Sequence, residues 1–185
     1  MSQTTERAIA AALKKLLQQK PLNKITISDL ANECGINRMT FYYHFKDIYD
    51  LIEWMCNERA EKALEGNKGV DSWQQGLKNL LDALLEEKTF VMGVYHSLSR
   101  EQIETFLFNV VYNLMWKVIE DYSAERSVSM DDRKFLADLF NYGISGIILH
   151  WISTGMKQSP ESIVEKFENI GKGVLAASIT SFEQK

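Results

Sequence analysis

The sequence predicts an all-α protein of about nine helices. Nearly every segment repeats its apolar residues with helical period, none alternates long enough for a half-buried strand, and only two prolines interrupt 185 residues. Ile9, Leu13, Leu16 and Leu17 form the apolar stripe of a first helix, which Lys20-Pro21 ends. Thr26-Ile-Ser-Asp29 has capping-box spacing and opens a short second helix that stops at Gly35. Asn37 is placed to cap a third helix, and Asp47 a fourth that runs to about Glu65.

Gly66-Asn-Lys-Gly69 is the clearest break, and it divides an N-terminal domain, 1–65, from a C-terminal one, 70–185. Trp73, Leu77, Leu80, Leu81, Leu84 and Leu85 then mark an amphipathic helix, followed by a short one over 90–98. Ser99-Arg-Glu-Gln102 is a second capping box and starts a long helix to about Tyr122. After a loop at 127–132, a helix runs over about 131–156, and Ser159-Pro160 supplies an N-cap and a first-turn proline for the last, to about Phe182.

Hydrophobic residues at 45% and charged residues at 25% are the mix of a folded globular chain. The first residues lack the basic-then-apolar order of a secretion signal, and no continuous apolar run reaches the ~18–20 residues of a membrane span. The nearest approach, 142–156, carries His150 with several Ser and Thr, so a cytoplasmic protein is expected. Cys34 and Cys56 are the only cysteines, which suggests neither a disulfide framework nor a zinc site. The net charge of −4 is unevenly spread: residues 1–50 hold seven basic side chains against five acidic, and the remainder fourteen against twenty. A slightly basic segment on an acidic body is the balance of a nucleic-acid-facing domain.

Residues 26–45 meet the physical needs of a helix-turn-helix. Ala31 is small where two helices cross, Gly35 can take the left-handed conformation of the turn, and Ile27, Leu30, Ile36, Phe41 and Phe45 can pack the pair together. The third helix then exposes Asn37, Arg38, Thr40, Tyr42, Tyr43 and His44, side chains that reach phosphates and base edges from the major groove. The plainer alternative is an αα-hairpin whose aromatic residues are core.

With Ile25-Thr26, Ala31 to Ile36 and Thr40-Phe-Tyr-Tyr-His-Phe45, residues 1–60 resemble the DNA-binding domain of the tetracycline-repressor (TetR) family. The run from Asn37 to Leu51 is similar to a subgroup that includes regulators of dihydroxyacetone kinase operons. The resemblance implies that Thr26, Tyr42 and either His44 or Lys46 hold phosphates and that Arg38, Met39, Thr40 and Tyr43 face bases. The family commonly carries a phosphate-touching lysine where this chain has Ile48. Ile48 is read either as exposed in the first turn of the fourth helix, the preferred reading, or as an apolar anchor against the first helix.

The resemblance also implies a C-terminal domain that binds an effector and dimerises. Tyr95, His96, Tyr112, Trp116, Tyr142 and His150 are the candidate pocket residues, with ordinary core packing as the alternative for each. No acidic or cysteine partner stands at helical spacing from His96 or His150, so no metal is expected, and no cofactor. Small residues at 143, 146, 171 and 173 within wide apolar stripes permit close helix approach, the resemblance assigns these helices to a four-helix dimer interface, and a two-fold pair reads half-sites ~34–36 Å apart.

The expected function is a transcription regulator that binds a palindromic operator as a homodimer, its DNA affinity set by a small-molecule effector. The alternative is a regulator or coactivator switched by a partner protein through the C-terminal domain. With no nucleophile elbow, phosphate loop or His-Glu metal motif, an enzyme with catalytic residues is not expected.

Overall fold

Short polar side chains start the helices by taking N–H groups that the first turn leaves free. In the computed structural model, which describes residues 2–183, Thr26, Asn37, Ser129 and Ser159 each accept a backbone N–H three residues on. The chain forms α1 (Ser2–Leu17), α2 (Ile27–Cys34), α3 (Arg38–His44), α4 (Ile48–Leu64), α5 (Trp73–Glu86), α6 (Lys88–Tyr95), α7 (Arg100–Tyr122), α8 (Met130–Ser153) and α9 (Pro160–Ser181). A 3-10 turn, Leu22–Lys24, stands between α1 and α2, and no strand occurs among the described residues.

The helices sort into two compact units, one of residues 1–59 with 87–99 and the other of 60–86 with 100–185. The expected division at 66–69 assigns α6 to the C-terminal domain, whereas its packing is with the first unit. Phe90 and Val94 of α6 join Leu13, Leu16, Phe41, Phe45, Leu51 and Ile52 in one apolar core. Lys14 of α1 pairs with Glu87 at 2.5 Å just ahead of α6, and its ammonium stands 5.9 Å over the Phe90 ring. Burial of those two apolar side chains is worth roughly 1.5–3 kcal/mol each, enough to hold an eight-residue helix that would not form alone.

In the second unit α7 packs along α8, and α5 packs on α9. The α5–α9 approach is close: a Cβ on Gly171 would stand 3.1 Å from the Trp73 ring. Leu114, Met115, Ile119, Leu136 and Ile148 are among its fully buried side chains. Taken as a whole, α8 is long and apolar enough to cross a membrane, with a mean hydropathy of 1.3 over its best window, although no continuous apolar run reaches that length. One face of it serves the core, where Leu136, Ile144, Ile148, Trp151 and Ile152 are buried.

Candidate nucleic-acid interface

The turn between α2 and α3 is set by Gly35, which sits at φ 69° and ψ 29°, in the left-handed region that favours glycine. Its N–H and that of Ile36 return to the last carbonyls of α2, so the turn closes without orphaned donors. Leu30 and Ala31 of α2 are buried, as are Phe41 of α3 and Phe45 just beyond it. That burial fixes which face of α3 remains outside.

The outside face is unusually apolar. Met39 is 74% exposed, Tyr43 84% and Tyr42 45%, while Arg38 and Asn37 are also exposed. With Tyr49, at the start of α4, Met39, Tyr42 and Tyr43 are the exposed large hydrophobics among the described residues of the first unit, and three of the four fall on α3. A concentrated exposed patch marks a binding surface.

Several hydroxyl and ring groups expected to meet DNA are committed elsewhere. Thr26 donates its hydroxyl to Asp29 Oδ2 at 2.7 Å and accepts the Asp29 N–H at 3.1 Å. Its one proton is therefore used inside the capping box. Thr40 donates its hydroxyl to Asn37 Oδ1 at 3.1 Å, so its one proton is used inside the cap. His44 points inward: its side chain is 7% exposed, and Nδ1 lies 3.2 Å from Glu6 Oε1.

Charge on this unit is largely paired. Arg7 meets Glu58, Lys14 meets Glu87, Lys15 meets Glu33 and Lys20 meets Asp29. The Lys20 ammonium, followed by the Thr26 bonds, holds the Asp29 carboxyl down at about 2. Of the seven basic residues before position 51, Lys24, Arg38 and Lys46 have no carboxylate partner among the described residues. Sequence reasoning missed Lys24, although its place two residues before the Thr26 cap was a usable signal. It also missed Tyr49, whose N–H is capped by Asp47 Oδ1 at 2.8 Å.

Ile48 differs from the preferred expectation. It is partly buried and packs against the first core, because the Asp47 cap starts α4 directly after Phe45 and turns Ile48 toward the cluster that holds Leu51 and Ile52. Burial pushes the Cys56 thiol up to about 12, and burial followed by the Glu33 charge raises Cys34, so neither thiol is poised to react.

The six candidate effector residues are scattered. Tyr95 and His96 belong to the first unit, where their rings meet edge to face at 5.5 Å, and His96 is exposed. In the second unit Tyr142 is 60% exposed with its ring against Phe108, and His150 is exposed. The physical reason is helical phase: α8 buries Asn141, Ile144, Ser145 and Ile148, which turns 142 and 150 outward. Tyr112 and Trp116 stack at 6.2 Å, half-buried on α7, and burial followed by the Asp138 charge raises the Tyr112 phenol. The buried polar groups on α8 are Asn141 and Ser145, whose hydroxyl donates to Asn141 Oδ1 at 3.0 Å. The sequence reading passed over both.

A helical unit that presents a two-turn, aromatic and cationic helix after a left-handed glycine turn defines a helix-turn-helix DNA-binding protein. The chain belongs to the tetR family of bacterial regulatory proteins: that family's profile matches residues 8–55, and the family's transcriptional regulator C-terminal region matches 71–173. It is 28% identical over 128 residues to the dhaKLM operon transcriptional activator DhaS of Lactococcus lactis subsp. lactis, covering 69% of this chain and 67% of that one. To the regulator EthR of Mycobacterium tuberculosis it is 48% identical over 64 residues, 32% of this chain and 29% of EthR. The solved structure of the dihydroxyacetone kinase operon activator DhaS superposes with a TM-score of 0.73 at 26% identity, covering 97% of this chain and 98% of that one. NalD, the secondary repressor of the MexAB-OprM multidrug efflux pump in Pseudomonas aeruginosa, shares the fold with a TM-score of 0.64 at 17% identity, covering 94% of this chain and 97% of that one. The chain is thus a DNA-binding transcriptional regulator and not an enzyme.

Proposed function

We propose that the chain binds a palindromic operator as a homodimer in the cytoplasm, with α3 in the major groove, and that an effector held by the second unit tunes its affinity. The observation that carries this reading is the exposed patch of Met39, Tyr42 and Tyr43 beside the unpaired Arg38. Arg38, Met39 and Tyr43 face bases, while Tyr42, Lys46 and the additional Lys24 hold phosphates.

Support for the dimer comes from the second unit, whose exposed large hydrophobics fall on two helices. Phe135, Leu139, Tyr142 and Ile147 lie along α8, and Ile170 and Val174 along α9. Gly143, Gly146 and Gly173 on the same helices have open space where a Cβ would stand, so a partner helix can approach closely. The effector reading is supported by Asn141 and Ser145, polar groups set inside an apolar helix bundle where a ligand could exchange hydrogen bonds with them.

Selection of bound fragments from genomic DNA tests the operator, and the kinship with DhaS makes the control region of a dihydroxyacetone kinase operon the first sequence to try. A symmetric site bound with a steep salt dependence is expected. Binding without sequence preference would remove the reading.

A further inference from the structure

We propose that Glu6 and His44 form a positioning pair that orients Tyr43, so that a residue of α1 controls sequence reading by α3. The inference rests on α3 being the recognition helix. It departs from a direct phosphate role for His44.

At seven residues, α3 makes about two turns and cannot hold itself in water. Phe41 and Phe45 anchor it one turn apart, but apolar burial is non-directional and leaves the rotation of so short a helix loosely set. The bond between His44 and Glu6 supplies direction, and it joins residues 38 apart in the chain. Both side chains are largely out of solvent, 7% exposed for His44 and 17% for Glu6. A hydrogen bond there is stronger than at the surface, and losing it leaves a buried polar group without that partner.

The pair reaches the DNA-facing side through one ring contact. The Tyr43 ring meets the His44 ring edge to face, centroids 5.1 Å apart and planes at 88°. Tyr43 is 84% exposed, so little burial restrains it, and a fixed His44 ring limits the positions it can take. The arrangement also explains how a carboxylate is tolerated near a DNA-binding face. If His44 turned out to a phosphate it would uncover Glu6 beside the polyanion, whereas the inward pair keeps both groups together.

The test uses the full chain, its selected operator and a random duplex of equal length. Glu6→Asp keeps the charge but shortens the reach by one methylene, so electrostatic attraction to DNA is unchanged. Operator affinity should fall about tenfold, the scale of one lost oriented contact, with affinity for random DNA within about threefold of wild type. Glu6→Gln retains an acceptor for the imidazole N–H and should restore operator affinity to within about threefold. In the Tyr43→Ala background, Glu6→Asp should cost nothing further.

Unchanged operator affinity in Glu6→Asp, or full additivity with Tyr43→Ala, overturns the proposal. So does a Glu6→Gln variant that binds both duplexes more tightly than wild type, because His44 would then be a phosphate ligand that Glu6 restrains. Failure of the recognition-helix reading is separately visible: Arg38→Ala and Tyr43→Ala would both leave operator binding intact.

Discussion

Lys20 Nζ lies 2.8 Å from Asp29 Oδ2, and the same oxygen accepts the Thr26 N–H and hydroxyl at 2.7 Å each. One carboxylate oxygen thereby joins the segment that follows α1, the start of α2 and the capping box of the helix-turn-helix.

This carboxylate gives a pH signature. Its acidity is depressed from the ordinary 3.8 to about 2 in the folded protein, so the unfolded chain takes up the proton first as pH falls. Its stabilisation is therefore complete above about pH 4 and is lost between there and about pH 2. Wild type should melt above Asp29→Asn by a constant margin from pH 5 to 8, with the margin narrowing below pH 4. A gap independent of pH down to 3 would place the effect outside the carboxylate.

Arg38→Ala and Tyr42→Phe should weaken DNA binding in different ways. Loss of Arg38, the one cation on α3 without a carboxylate partner, should cost ~1–3 kcal/mol on the selected operator and blur one base position. Tyr42→Phe should lower affinity evenly across sequences. Lys24→Ala should reduce the slope of log affinity against log salt by ~0.9 per subunit. Titrations of operator variants at several salt concentrations read all three.

Ile48→Lys should lower stability by about 1–2 kcal/mol, because a charged head replaces a partly buried side chain packed against the first core. The salt slope should stay where it was. A steeper slope with an unchanged melting temperature would show that position 48 reaches phosphate after all.

Gly146→Leu separates assembly from folding. A Cβ at 146 meets nothing within 4 Å, and leucine favours a helix over glycine by up to about 1 kcal/mol, so the single chain should fold at least as well. Sedimentation should nevertheless show a weakened dimer at micromolar concentration, with operator affinity reduced. A dimer as tight as wild type would move the interface away from this stretch of α8.

Helix starts were legible because a cap is a local device. Thr26, Asn37 and Ser159 bond only three residues ahead, so their spacing is written in consecutive letters, whereas the Ser129 cap lies in a stretch read as loop. The outward faces of Arg38, Tyr42 and Tyr43 followed from the same period once Phe41 and Phe45 were assigned to the core. What stayed hidden depends on partners far along the chain. His44 looked like a surface ring until Glu6 met it, Ile48 looked exposed until the first core reached it, and α6 looked C-terminal until Phe90 and Val94 docked. The outward facing of Tyr142 and His150 stayed hidden for another reason: α8 is apolar on several faces, and composition does not say which one faces inward.

The return of α6 to the first unit bears on how such proteins can be recombined. The chain passes between the two units after Arg59, after Glu86 and after Ser99, so neither is a continuous stretch of the gene. A fragment cut at the glycine break would keep α1 but leave behind Phe90 and Val94, two of the side chains that complete its core. A single crossover at 66–69 would therefore join one parent's reading head to another parent's α6. Exchange of specificity between relatives then requires either compatible residues on both sides of the α1–α6 seam or two further junctions that carry residues 87–99 along with the head.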